Sequence, residues 1–300
     1  MADITQHQTM TRFMGIDNVN DPIRLVPVVV NHEYIYSLVQ ASNLEIDDTY
    51  GLSSRSGYDD VLLGSDIHSL SDDASGFFVD GGILKKLNTD YSVVSLRSGL
   101  TLGARMSYTS FNDRIYYTNG YEIGYVQLDI DYPLVDPILE FKLSLSAGQL
   151  IEYYRGRLYV ARDNILYISD PLCDYFDIRQ GYKQFTSKIT LLRAVDEGLY
   201  VGDSKIWWVK GSSPEEFERI EVYSHRAIPY TDIRTNGQDV SDGIKGNIAI
   251  WTGENGICMG DNSGTVINLT KSRYTFTPSG QGAGFIRSNN NVCHYINSLY

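Results

Sequence analysis

The stretch Val195 to Val222, VDEGLYVGDSKIWWVKGSSPEEFERIEV, decides the fold. A turn at Asp196-Glu197-Gly198 leads into Leu199-Tyr200-Val201. A second turn, Gly202-Asp203-Ser204, leads into Ile206-Trp207-Trp208-Val209, and a polar loop leads into Phe217 to Val222. Apolar runs this short, bounded by Gly, Asp and Ser, read as strands joined by tight turns. Three such strands cannot bury an apolar face by themselves. The rest of the chain supplies what they pack against: near-copies of themselves.

The same grammar recurs six times, at Phe77-Phe78-Val79, Ile115-Tyr116-Tyr117, Leu158-Tyr159-Val160, Leu199-Tyr200-Val201, Ile248-Ala249-Ile250 and Phe285-Ile286-Arg287. The steps between first residues are 38, 43, 41, 49 and 37. Each triplet is followed by a partner strand: Ile83-Leu87, Tyr121-Leu128, Asn164-Ile168, Lys205-Val209, Gly256-Met259 and Asn291-Ile296. A period of about 40–45 residues with four strands per unit is the sequence signature of a propeller. Helical repeats of similar length need apolar residues at helical spacing over ten or more positions, and these runs are too short. The 23 tyrosines also suit strands, because aromatic rings pack well on a pleated surface. The expected fold is an all-β propeller of six four-stranded blades, with five or seven as the neighbouring counts.

The units run from about Val61 to Leu96, Leu102 to Leu143, Leu145 to Ile178, Lys188 to Val222, Gly243 to Leu269 and Phe276 to Tyr300. Ile67-His68-Ser69-Leu70 and Lys188 to Ala194 read as innermost strands. Asn119-Gly120 gives a strong short hairpin signal. Residues 223–242 form the longest link without the repeat. Residues 1–33 lie outside the blades, as an arm that either wraps its own domain or reaches a neighbouring subunit; residues 34–300 form the propeller. Tyr34-Val39 and Asn43-Ile46 read as strands. The last unit runs out of chain before an outer strand, and an open blade edge exposes unpaired backbone groups. Residues 35–55 are therefore expected to supply that strand and close the ring.

The 300 residues carry a net charge of −12, which argues against a general phosphate-binding surface. Cys173, Cys258 and Cys293 are odd in number and lack CxxC spacing, so neither a disulfide framework nor a cysteine zinc site is expected. The start MADITQHQTM lacks the basic and apolar regions of a secretory signal. No apolar run approaches the length of a membrane span.

No protease, hydrolase, nucleotide-loop or dinucleotide motif is present. His7, His32, His68, His225 and His294 have no metal-ligand spacing. The acidic stretches at Asp47-Asp48, Asp129 to Asp136 and Gly260 to Gly264 offer oxygen ligands, but none completes a twelve-residue calcium loop, and Asp, Asn and Gly are what turns use. Asp170, Asp196 and Glu254 are the carboxylates a glycosidase reading would draw on; all sit at turns. Trp207 and Trp208 occupy opposite faces of one strand, as expected for a blade buried on both faces. Asn268-Leu269-Thr270 matches a glycosylation sequon that has no meaning without secretion. No catalytic, cofactor-binding or metal residue and no cofactor is assigned.

The segment 38–58, LVQASNLEIDDTYGLSSRSGY, together with Ile67-His68-Ser69-Leu70, Gly81 to Leu87 and Ile115 to Gly120, resembles the β-propeller virion proteins of tailed bacteriophages, of the tail-nozzle or tail-hub type. The resemblance covers roughly residues 15–270 and implies no catalytic residue. It implies a non-enzymatic structural protein assembled into a ring, commonly of six copies, next to other tail, adaptor or portal proteins. DNA would pass the acidic wall without tight binding, and the protein would reside in the virion. The chain departs from the longer nozzle proteins in lacking their large insertions, which leaves a collar or fibre anchor as other positions. The competing readings are a carbohydrate-binding or glycoside-cleaving propeller and an interaction scaffold; against the scaffold, Trp-Asp and Gly-His never occur.

Overall fold

The computed structural model describes residues 10, 12–47, 49–55, 57, 60–71, 76–211, 213–241, 243–271, 273–289 and 292–299. Within them the chain is all-β, with helical geometry confined to three 3₁₀ turns at Pro22–Arg24, Pro214–Glu216 and Gly237–Asp239. An N-terminal unit holds β1 (Phe13–Ile16), β2 (Val28–Val30), β3 (Glu33–Leu38), β4 (Leu44–Ile46) and β5 (Leu52–Ser54). Blade one follows with β6 (Ile67–His68), β7 (Phe77–Asp80), β8 (Ile83–Leu87) and β9 (Val93–Arg97). Blade two contains β10 (Ser107–Phe111), β11 (Arg114–Thr118), β12 (Ile123–Gln127) and β13 (Ile130–Pro133). After β14 (Lys142–Ser144), blade three contains β15 (Leu150–Tyr154), β16 (Arg157–Arg162), β17 (Ile165–Ile168) and, after β18 (Tyr175–Asp177), β19 (Tyr182–Gln184). Blade four is β20 (Leu191–Ala194), β21 (Leu199–Gly202), β22 (Ile206–Lys210) and β23 (Glu218–Tyr223). Blade five is β24 (Ile233–Asn236), β25 (Asn247–Gly253), β26 (Gly256–Gly260) and β27 (Val266–Asn268), and a last hairpin is β28 (Gly282–Asn289) and β29 (Val292–Leu299).

Five sheets have four strands each, joined by antiparallel neighbours in sequence order. The tight turns between apolar runs dictate this meander. Each repeat triplet of the first five units lies in the second strand of its blade, where side chains are buried on both faces. Tyr116, Tyr159 and Tyr200 are 1% exposed or less. Buried clusters fill the spaces between successive blades. Phe77, Leu84, Met106 and Tyr117 pack between blades one and two, and Phe111, Tyr116, Ile151 and Leu158 between two and three. Tyr159, Leu166, Leu192 and Val201 pack between three and four, and Tyr200, Trp208, Ala249 and Trp251 between four and five. The tandem tryptophans divide as the strand period requires: Trp208 belongs to the blade four–five cluster, and Trp207 packs on the three–four cluster.

Three features differ from the sequence reading. First, residues 223–242 are not a plain link: β24 lies within them and is the innermost strand of blade five. Second, among the described residues the sixth unit has two strands. Its Phe285 triplet lies in β28, which packs beside β24 as an innermost strand, and not in a second strand. A smaller cluster of Ile248, Ile250 and Met259, with Ile286 and Tyr295 against it, joins this hairpin to blade five. Third, the N-terminal strands do not complete the last blade. β3 pairs with β1 and β2, and β4 pairs with β5. They meet the last unit through side chains, by the Arg287–Glu45 ion pair, and Asn18 exchanges hydrogen bonds with Thr275, at 3.0 and 2.8 Å. The N-terminal strands thus lie against their own chain, with β3 paired to β1 and β2. Among the described residues no buried cluster joins the last hairpin to blade one; Arg105, on the approach to blade two, reaches the hairpin with a 3.2 Å hydrogen bond to the Gly282 carbonyl.

Asp80 fastens the entry of blade one. Its Oδ1 accepts from the Ser65 and Asp66 amides at 3.0 and 3.1 Å, and Oδ2 pairs with Lys85 Nζ at 2.7 Å. The Lys85 ammonium, followed by these amides, holds the carboxyl down to about 2 from its usual 3.8. A depressed folded-state pKa gives stability that is fully present above about pH 4 and lost as pH falls through about 2. Melting temperature is expected to decline across that window, with a smaller decline in Asp80→Asn. An unchanged acid profile in the variant would show that this carboxylate is not ionised in the fold.

Candidate functional site

The first strands of all six units converge on one cavity of about 1040 Å³. Register explains its chemistry. Thr109, Glu152, Arg193 and Arg234 occupy equivalent positions on β10, β15, β20 and β24, opposite Tyr116, Tyr159, Tyr200 and Ala249 of the second strands. Four consecutive blades therefore present polar side chains at one level of the axis, where the strands crowd together.

These side chains join across blades. Arg193 Nε lies 2.9 Å from Asp232 Oδ2, and its Nη1 lies 3.4 Å from Glu152 Oε2. Nη2 also donates to the Asp232 carbonyl at 3.1 Å. Glu152 Oε1 accepts from the Tyr153 amide at 3.0 Å and from Thr109 Oγ1 at 3.5 Å. Glu152 and Asp232 are 2% and 8% exposed. A guanidinium between two buried carboxylates satisfies charges that would each cost several kcal/mol alone. Arg234 completes the chain with one long contact, 3.8 Å to Glu152 Oε1, and its side chain is 45% exposed.

On the opposite wall, His68 Nδ1 lies 2.8 Å from Ser69 Oγ, which accepts from the Met106 amide at 2.9 Å. Burial lowers the His68 pKa and favours the neutral ring. Its Nε2 is buried without a hydrogen-bond partner.

The carboxylates singled out from sequence lie elsewhere. Asp170 pairs with Lys142 at 2.5 Å, Asp196 accepts from the Asn247 amide at 2.9 Å, and neither they nor Glu254 line the cavity. The acidic turns cap their own loops. Asp47 Oδ1 accepts from the Thr49 and Gly51 amides, Asp261 Oδ1 from those of Ser263 and Thr265, and Asp136 Oδ1 from that of Ser144. Among the described residues no cluster of His, Cys, Asp and Glu is arranged to hold a metal. Cys258 is buried and its thiol is pushed up to about 11 by that burial. The sequence reading passed over Glu152 and Arg193. The available signal was a charge at the centre of each apolar run, Leu150-Ile151-Glu152-Tyr153 and Leu191-Leu192-Arg193-Ala194.

A second feature lies on the rim. The turn at Leu128, the connection after β13 and the strand β14 expose Leu128, Val135, Ile138, Leu139, Phe141 and Leu143, with Ile138 fully exposed and Leu128 at 90%. A monomeric surface seldom concentrates large apolar side chains in this way. Among the described residues no helix is long and apolar enough to cross a membrane.

No protein-family profile and no curated protein matches the chain. Solved structures match its architecture. A virginiamycin B lyase from Staphylococcus aureus is 12% identical over 84% of this chain and 83% of that chain, with a TM-score of 0.48. A gluconolactonase from Xanthomonas campestris is 13% identical over 76% and 83%, with a TM-score of 0.45. The WD40 domain of Neurospora crassa Pan2 is 13% identical over 75% and 72%, with a TM-score of 0.43. These matches correct the expectation of a protein without catalysis: enzymes occur among the propellers it resembles, so the architecture gives no ground for excluding one. At such identities the likeness is one of fold, and no residue role transfers.

Proposed function

We propose that the chain is a structural subunit of a bacteriophage tail or head–tail junction. The observation that carries this reading is the number of exposed large apolar side chains between Leu128 and Leu143, which suits a surface covered in an assembly. The inter-blade cores support it, since they make a stiff disc that holds such a surface in place. The resemblance of residues 38–58 to tail-nozzle and tail-hub propellers supplies the particle. Copies of the disc would form a ring, six in number by that resemblance, beside other tail, adaptor or portal proteins. The net charge of −12 would keep passing DNA from adhering.

The test is the protein content of purified particles together with mass in solution. The chain is expected in virions at a fixed copy number. Replacing Ile138 and Leu139 by Asp is expected to abolish incorporation while leaving thermal stability within about 0.5 kcal/mol per site, as exposed positions allow. Absence of the chain from particles overturns the reading, as does normal incorporation of the variant.

A further inference from the structure

We propose that the axial cavity binds a small hydroxylated carboxylate of sugar-acid size, with Arg234 as the side chain that takes the carboxylate. This goes beyond the assembly reading and does not depend on it. A volume of about 1040 Å³ at the axis suits a ligand of one or two sugar rings.

Arg234 is the group in that cavity best placed to serve a ligand. Arg193 is committed to two carboxylates, whereas among the described residues Arg234 makes one ion-pair contact, at 3.8 Å, to a Glu152 that already takes Arg193, the Tyr153 amide and Thr109. A guanidinium has five N–H donors in a fork that matches a carboxylate with two parallel hydrogen bonds. With its side chain 45% exposed, it meets the ligand without first leaving a buried pair.

The rest of the wall selects within the anions. Asp60 and Asp232 also face the cavity, beside Arg105 and Arg193, whose guanidiniums are held by the Gly282 carbonyl and by Glu152 and Asp232, and the net charge of −12 disfavours a dianion such as phosphate. The same carboxylates accept hydrogen bonds from hydroxyl groups, so a single negative charge with several hydroxyls fits both signs of the wall. Tyr230 and Phe285 supply aromatic surface to the same cavity, and Phe285 is 51% exposed. Against such rings the apolar C–H face of a sugar can pack.

The position has a consequence for stability. β6 and β28 line the cavity from either side of the seam that lacks a buried cluster. A ligand touching both walls ties the first unit to the last.

The experiment is calorimetric titration of the full chain with glucuronate, and in parallel with glucose and inorganic phosphate. Glucuronate is expected to bind saturably at one site, at least tenfold more tightly than either comparator, which is about 1.4 kcal/mol. At a hundredfold excess over Kd the melting temperature is expected to rise by several degrees. Arg234→Leu is expected to weaken glucuronate at least tenfold, and Arg234→Lys less. Melting of the ligand-free variants shows that both fold. No saturation at millimolar glucuronate, equal affinity for phosphate, or unchanged affinity in Arg234→Leu would each overturn the proposal. None of these results bears on particle composition, so the two proposals fail separately.

Discussion

Replacing Arg193 by methionine is expected to destabilise the propeller by about 3–5 kcal/mol, lowering the melting temperature on the order of 10 °C. The size follows from what is left behind. Glu152 and Asp232 are almost wholly buried, and both lean on this one guanidinium. Without it Glu152 keeps the Tyr153 amide, Thr109 and the 3.8 Å Arg234 contact, and Asp232 loses its guanidinium partner. The charges are the cause, and shape is not, because methionine fills most of the volume. A chain that also carries Glu152→Leu and Asp232→Leu is therefore expected to recover much of the loss, since well-packed apolar replacements of buried ion networks are often neutral. Thermal unfolding of the single and triple variants decides it. A single variant within 1 kcal/mol of the parent would mean that water reaches these carboxylates.

The second large effect is expected at Tyr200. Tyr200→Ala should cost about 3–5 kcal/mol by leaving a cavity between blades four and five, whereas Tyr200→Phe should cost about 1 kcal/mol. The ring is fully buried, 4.8 Å from that of Trp208 and 5.5 Å from that of Trp251, and its hydroxyl donates to the Asp261 carbonyl at 2.6 Å. Collapse cannot heal the cavity, because the surroundings are shaped to these rings. A Cβ on Gly260 would sit 2.4 Å from the Tyr200 ring, and one on Gly198 2.5 Å from that of Trp208. Denaturant unfolding of both variants measures the difference. Equal losses in the two would place the stability in the hydroxyl and not in the ring.

Local patterns made the architecture legible. The recurrent triplets with their flanking turns located the second and third strands of five blades, and two innermost strands, Ile67–His68 and Leu191–Ala194, were also found. The last unit was misplaced by one strand position, because Phe285 to Arg287 has the composition of a second strand while β28 stands at the axis. Composition reports burial, and an innermost strand packed on its neighbours looks much like a second strand. β24 escaped for a related reason: Ile233-Arg234-Thr235-Asn236 has one apolar residue in four, and its role shows only in its pairing with β25. An open edge leaves backbone groups unpaired, which in sequence points to ring closure by residues 35–55. The N-terminal strands instead satisfy one another, an option that backbone pairing leaves open to any strand.

The sequence alone determined the repeat, its strands and turns, and the two-sided burial of the tandem tryptophans, because these depend on residues close in the chain. Tertiary structure alone decided what lies at the axis. Glu152, Arg193 and Asp232 are about forty residues apart, one from each of three consecutive blades or their approaches. In sequence each is a lone charge beside apolar residues, equally compatible with solvent or with a partner. Only the common register of the blades brings them to one level, where low dielectric makes the partner obligatory.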